Sequence, residues 1–268
     1  MLVDRTTYDF DSIPGVLWTP ANTTTIAWYD ASDVSTISET ASAVSQWDDK
    51  SGNSNHVTQG TGTKQPETNT RTVNSLNVID FDGTDDFLSK TSFASLPADG
   101  TVSFFSICIV DAMIASSAES IFSIDHATSD FQFASNSTTE FRAVIQNTGL
   151  GFSGNITPSP DVNYEAAVHI FNFKLDATAQ TGETFVDGTS KASASGYTTA
   201  LPNTSQAYQI FTNRNTTIPA QGACCENIVL ADITTGTRQK IEGYLAWKWG
   251  VEANLPSGHP YEFAAPTV

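Results

Sequence analysis

Residues 102–146 read VSFFSICIVDAMIASSAESIFSIDHATSDFQFASNSTTEFRAVIQ. Four apolar runs lie within this stretch: VSFFSICIVD (102–111), ESIFSID (119–125), FQFAS (131–135) and EFRAVIQ (140–146). Each has the length of a strand and is rich in β-branched and aromatic residues, with Ser, Thr, Asn and Asp separating it from the next. Outward from there the pattern repeats. TTIAWYD (24–30) and NVIDFDG (77–83) precede it; AAVHIFNFKLD (166–176), ETFVDG (183–188), AYQIFTN (207–213) and CCENIVLAD (224–232) follow. Several runs are apolar at nearly every position, which predicts strands covered on both faces. ETFVDG ends in Asp-Gly, a signal for a tight hairpin turn. The pattern predicts an all-β fold, a sandwich of two antiparallel sheets.

One stretch breaks the strand pattern. TRQKIEGYLAWKW (237–249) carries Ile241, Tyr244, Leu245 and Trp249 at helical spacing, and Gly250 follows as a C-cap. It predicts one short C-terminal helix laid against the sandwich. Lys248 falls inside the apolar stripe, so its stem should pack while its ammonium escapes to water.

At 268 residues and 39% hydrophobic, the chain is able to bury a full core as one domain. Charged residues make up 15%, and Ser, Thr and Asn fill the gap, a composition suited to short strands and hydrogen-bonded turns. Twelve basic residues against 29 acidic give a net charge of −17. Such a surface repels phosphate backbones and anionic lipid heads, which argues against nucleic acid and membrane insertion. Neutral glycans, cations and simple solubility all remain compatible with it.

Cys108, Cys224 and Cys225 form no disulfide framework and no zinc spacing; each lies in an apolar run, as a small buried hydrophobe does. The opening MLVDRTTYDFDSIPG has neither the basic flank nor the apolar core of an export signal. Folding in a cytosol is therefore expected. The five N-x-[ST] strings, at Asn22, Asn136, Asn155, Asn203 and Asn215, are read as unmodified for the same reason.

Three blocks carry a resemblance. WYDASDVSTIS (28–38) with VSQWDDKSGNSNHVTQ (44–59) resembles the opening of LamG-like domains of the concanavalin A-like lectin and glucanase group, common in phage and bacterial surface proteins. NVIDFDGTDDFLS (77–89) is similar to the strand and turn that follow there, and GACCENIVLADITTGTRQKIEGYLAWKWG (222–250) to the closing strand, turn and helix. The blocks span Trp28 to about Pro260 in the family's order. The resemblance implies a jelly-roll domain over 24–268 preceded by an arm over 1–23, and a packing role for Cys224 and Cys225.

The same jelly roll hosts glucanases, whose acids alternate along one strand as Glu-x-Asp-x-x-Glu. No such string occurs here, no G-x-S-x-G occurs, and the four histidines are scattered. His169 sits in an apolar run, where a hydrogen-bonded core histidine is the expectation. The chain is expected not to be an enzyme.

Calcium takes several oxygens from loop tips. Asp48, Asp49, Asn53 and Asn55, or Asp82, Asp85 and Asp86, could supply them; the competing reading is that these residues hold their own loops as Asx-turns. A sugar needs an exposed aromatic plane beside polar groups. Trp28, Tyr29 and Trp47, with Asn53 and Asn55 nearby, are the candidates, and Trp18 joins them; against this, aromatics beside sandwich strands fill cores.

These readings lead to an expected function. The chain is expected to be a non-catalytic virion surface protein of a phage, a decoration or tail adhesin, with other virion proteins and host surface glycans as partners. The lack of an export signal favours that setting over a secreted bacterial adhesion module, which is extracellular. Phe10, Ile13, Val16, Leu17 and Trp18 mark the segment before Trp28 either as a docking arm, with a trimeric assembly, or as a cover for the domain's own edge.

Overall fold

The computed structural model describes residues 15–93, 96–97, 100–112, 119–125, 129–135, 141–147, 153–156, 164–196 and 206–268. They form an all-β sandwich with one C-terminal α-helix. One sheet runs β1 (Thr25–Asp30), β17 (Gln221–Leu230), β8 (Val102–Ala112), β13 (Val168–Asp176), β14 (Thr181–Val186) and β15 (Thr189–Ser195), all antiparallel. Along the same edge of β17, β6 (Leu76–Asp82) takes over from β1.

The second sheet begins with β12 (Ser153–Ile156), β11 (Phe141–Asn147), β10 (Ser129–Ser135), β9 (Ser120–Asp125) and β16 (Gln206–Ile210). It continues through β7 (Leu88–Phe93), β4 (Val57–Thr58), β3 (Ala43–Trp47) and β2 (Ile37–Thr40). Between β6 and β3 lies β5 (Glu67–Val73), which joins the two sheets at one side.

Two cores follow from this layering. Between the sheets, Phe131 stacks on Phe173 at 4.4 Å and on Phe104 at 5.2 Å, with Phe122, Phe133, Tyr208 and Trp47 in the same cluster. The second core lies on the other face of the first sheet, where the helix α1 (Thr235–Trp249) packs Ile241, Tyr244, Leu245 and Trp249 over Phe105, Ile107, Ile170 and Ile228. The sheet under the helix is thus buried on both faces. That is why β8, β13 and β17 read as continuous apolar runs.

The expected turns and caps are present. Asp187 and Gly188 take φ of 50° and 77° between β14 and β15, the left-handed pair a two-residue hairpin needs. Gly250 (φ 72°) closes the helix, its N–H donating to the Ala246 carbonyl. The helix starts two residues before the stretch read from the sequence, because the Thr234 hydroxyl accepts the Thr237 N–H and caps the first turn. All three cysteines are buried and reduced, and burial pushes the Cys108 thiol up to about 12.

Lys248 departs from its expected place. Its ammonium does not escape to water but turns inward, 2.6 Å from Asp30 and 2.8 Å from Glu226. A bulge at Cys225 puts Glu226 on the helix side of β17, fully buried. There its carboxylate also accepts from Trp28 Nε1 (2.6 Å), Tyr244 OH (2.9 Å) and Trp249 Nε1 (2.9 Å). A buried carboxylate is tolerated only when its lone pairs are filled and a cation faces it. Burial pushes Glu226 above the usual carboxylate range, and Lys248 offsets part of that. Burial acts on Asp30 too, but Lys248, Ser32 and Lys50 outweigh it and hold Asp30 below its ordinary value. The cluster ties β1, β17 and α1 together.

Within the segment read as an arm, Trp18 is buried in the helix-side cluster. Its N–H donates to the Pro266 carbonyl, and Lys240 lies 5.8 Å from its ring. Trp18 therefore covers the domain's own surface, while Val16 is exposed; Phe10 and Ile13 lie outside the described residues. His169 is hydrogen-bonded as expected, Nδ1 to Asp187 at 2.6 Å.

Candidate functional site

The aromatic residues read as a sugar platform are in the cores. Tyr29 and Trp47 have no exposed surface, and Tyr29 stacks on Tyr208 with its hydroxyl donating to the Asn55 carbonyl. Trp28 is 8% exposed, with Tyr244 edge-on to its ring and the Lys50 ammonium 4.5 Å from the ring centroid. Trp18 is buried as described above. These four rings have no face to offer a sugar, because each completes a core that β1, β3 and α1 could not otherwise fill.

The loop between β3 and β4 is held by its own polar groups. Asp49 accepts from Trp28 N–H (2.9 Å), Ser51 N–H (2.8 Å), Ser51 Oγ (2.8 Å) and Asn55 N–H (3.0 Å). Four donors fill the lone pairs of a carboxylate, so Asp49 is a loop tie and not a calcium ligand. Asn53 donates to the Thr25 and Ile26 carbonyls, and Asn55 to that of Ile26. Asp48 accepts from the Gln46 amide at 2.7 Å and lies 3.0 Å from His56. Of the four, Asp49 makes the Asx-type bond, to Ser51 N–H two residues on; Asn53 and Asn55 instead tie the loop to β1 carbonyls, and Asp48 bonds the Gln46 side chain.

Asp82, Asp85 and Asp86 are brought together in the turn after β6, with one oxygen from each lying within 4.8 Å of the others. Asp82 Oδ1 caps the turn by accepting from Thr84 N–H at 2.7 Å and Asp85 N–H at 3.3 Å. Asp86 is buried and accepts from the Asp82 N–H. Burial, with the charges of Asp82, Asp85 and Glu67, pushes it up to about 7. A carboxyl with a raised folded pKa costs stability as pH rises from its unfolded value, about 4, toward 7. In calcium-free buffer, Asp86→Asn is therefore expected to raise Tm by roughly 3 °C at pH 8, and by less at pH 5. An equal effect at both pH values in thermal melts would show that the charge is not the cause.

A different set of residues forms the open polar surface, and it is visible only through strand register. Val144 of β11 faces Gln132 of β10, which faces Ser123 of β9, which faces Gln209 of β16, which faces Ser89 of β7. The row goes on through Thr58 of β4 and Gln46 of β3 to Ser38 of β2. Their chain neighbours Ala143, Phe131, Phe122, Tyr208, Leu88, Val57, Trp47 and Ile37 pack into the inter-sheet core. By alternation, the row therefore lies on the outer face of the second sheet. All its members are uncharged, and all but Val144 are polar.

The row has two halves. In one, Gln209 and Ser123 are enclosed and satisfy each other: Ser123 Oγ donates to Gln209 Oε1 (3.1 Å) and to the Thr212 carbonyl, and Gln209 Nε2 donates to the Arg214 carbonyl. In the other, Ser38 and Thr58 are exposed and Ser89 and Gln46 half-buried. The hydroxyls of Ser38, Thr58 and Ser89 engage no described residue. Phe87, two residues before Ser89 in the chain, is half-buried and belongs to neither core cluster. Sequence reading missed all five residues, since they are scattered from Ser38 to Ser89 and only pairing aligns them.

No family model and no curated protein matches the chain. Solved structures do. Domain 4 of AbnA, a GH43 extracellular arabinanase from Geobacillus stearothermophilus, in complex with arabinotriose, superposes with a TM-score of 0.54 at 10% identity, over 76% of this chain and 91% of that one. The likeness is one of fold. A mutant of HCR/D gives a TM-score of 0.51 at 10% identity, over 82% of this chain and 50% of that one. The CBM40 of Ruminococcus gnavus IT-sialidase, bound to α2,3 sialyllactose, gives 0.44 at 14% identity, over 52% and 80%. The likeness to the arabinanase domain and to HCR/D agrees with the all-β sandwich expected from the sequence.

Proposed function

We propose that the domain is a non-catalytic, LamG-like glycan-binding module that holds a sugar chain against the outer face of its second sheet. The observation that carries the reading is the open half of the polar row. The unengaged hydroxyls of Ser38, Thr58 and Ser89 and the Gln46 amide, which also bonds Asp48, are aligned across four strands, and half-buried Phe87 stands two residues before Ser89 in the chain. Hydroxyl and amide groups pair with sugar hydroxyls, and an aromatic ring covers an apolar sugar face. The arabinanase domain, crystallised with arabinotriose, supports the reading as a sandwich of the same fold that carries a sugar. As to setting, a virion surface adhesin of a phage and a secreted bacterial adhesion module would use this face alike. Calcium, if bound, would take the Asp82–Asp85–Asp86 turn.

Calorimetric titration with neutral oligosaccharides of glucose, galactose, mannose and arabinose tests the function. A ligand among them is expected to lose at least about tenfold in affinity, roughly 1.4 kcal/mol, on Phe87→Ala and on Gln46→Ala. Phe87→Ala should leave Tm nearly unchanged, since Phe87 belongs to neither core cluster, and Gln46→Ala should lower it only by the loss of one part-buried bond to Asp48, about 1 kcal/mol or less. Binding that is unchanged in both variants would place the site elsewhere.

A further inference from the structure

We infer that the ligand of this face is the end of a linear, uncharged polysaccharide that runs across the strands with one sugar per strand. The inference rests on the glycan-binding reading above and specifies its ligand. Residues opposite one another in an antiparallel pair have Cα atoms about 5 Å apart, so Ser89, Thr58, Gln46 and Ser38 span about 15 Å in three steps. That step is close to the advance of one sugar in an extended pyranose chain. A chain laid perpendicular to the strands would therefore meet a polar side chain at each unit.

Charge selects the class. No member of the row is ionised, and the protein around it carries a net charge of −17. No cation stands in the row to receive a uronate, sulfate or sialate, and the acidic surface repels all three. Lys90, the strand neighbour of Ser89, is occupied with the Ser54 carbonyl at 3.2 Å.

Enclosure selects the end of the chain. Past Ser89 the row continues into Gln209 and Ser123, which are 3% and 0% exposed and already bonded to each other and to backbone carbonyls. Among the described residues of the row, a sugar chain entering from β2 meets the unengaged hydroxyls of Ser38, Thr58 and Ser89 and a Gln46 amide partly taken up by Asp48, and beyond β7 it meets enclosed groups. The open length fits about four sugars.

The test uses the intact protein with graded series of cello-, laminari- and arabino-oligosaccharides from two to eight units, and oligogalacturonides of equal length as the charged series. For the series that binds, affinity is expected to rise to about four units and then stay level. The oligogalacturonides should bind at least about tenfold more weakly. On the intact polysaccharide, the number of bound copies should follow the number of chain ends. Affinity still rising at eight units, or copies bound in proportion to chain mass, would overturn end recognition. Equal or tighter binding of oligogalacturonides, still sensitive to Phe87→Ala, would overturn the uncharged class while leaving glycan binding at this face intact. If no sugar binds in any series, the glycan reading falls and this inference with it.

Discussion

Lys248→Met is expected to destabilise the domain by about 3–5 kcal/mol and to lower Tm by roughly 10 °C, the largest effect of any side chain in the helix. The ammonium lies between Asp30 and Glu226 at 2.6 and 2.8 Å, and only 11% of its side chain is exposed. Methionine fills the same volume but leaves two carboxylates without their shared cation. Asp30 keeps Lys50 at 2.9 Å; Glu226 keeps only the neutral donors Trp28, Tyr244 and Trp249. Breaking a buried pair from one side costs more than the pair contributes, because a charge is left stranded. The sign of the pH dependence follows. Glu226 already titrates above its ordinary value, and removing Lys248 raises it further. The folded variant keeps this proton to higher pH than the parent does, so its deficit relative to the parent grows once pH passes the point at which the parent's raised Glu226 ionises. Melts at pH 5 should show a smaller loss than melts at pH 8. Adding Glu226→Gln to Lys248→Met should restore part of the stability. A variant that melts like the parent at pH 8 would mean the cluster is not closed as described.

Gly222→Ala is expected to cost about 3 kcal/mol or more, for a backbone reason unrelated to charge. Gly222 has φ of 154°, and a Cβ there would sit 2.1 Å from the Ile109 carbonyl oxygen and 3.1 Å from the Phe211 ring. The carbonyl belongs to β8, which β17 accompanies from Gln221 to Leu230. Neither strand is able to yield without disturbing both cores. The register irregularity between Gln221 and Gly222 shows where the pair accommodates the glycine. Gly236→Ala, with nothing within 4 Å of the added methyl, is the matched control and should leave Tm unchanged or slightly higher. Equal melting of the two variants would refute the contact.

What the sequence disclosed, and what it withheld, follows from where each signal resides. Runs such as VSFFSICIVD and CCENIVLAD betray strands because burial on both faces demands apolar residues throughout. ETNTRTV of β5 and TSKASAS of β15 carry no such demand, being largely exposed and held by pairing, and so escaped notice. The Asp187-Gly188 turn was legible by its glycine. Ala41-Ser42 and Asn74-Ser75 adopt the same left-handed pairs without glycine, and nothing local announces them. The misplaced Lys248 ammonium had one signal, Glu226, the single charged residue between Gln221 and Leu230, whose buried charge required a cation nearby. The sugar platform read at Trp28, Tyr29 and Trp47 failed because aromatic content alone does not distinguish a core from a surface. The row from Ser38 to Ser89 failed to show for the opposite reason: single polar residues in separate strands gain meaning only when register sets them side by side.

The central claim is that the outer face of the second sheet, between β2 and β7, receives a sugar chain. Amide chemical-shift mapping on isotopically labelled protein, titrated with the tightest-binding neutral oligosaccharide, tests it most directly. The largest shifts are predicted at Ser38, Gln46, Thr58, Phe87 and Ser89, with the Asp82–Asp86 turn and the helix unmoved. Shifts confined to that turn, or to the helix and the C-terminal segment around Tyr261 and Phe263, with the row silent, would contradict it.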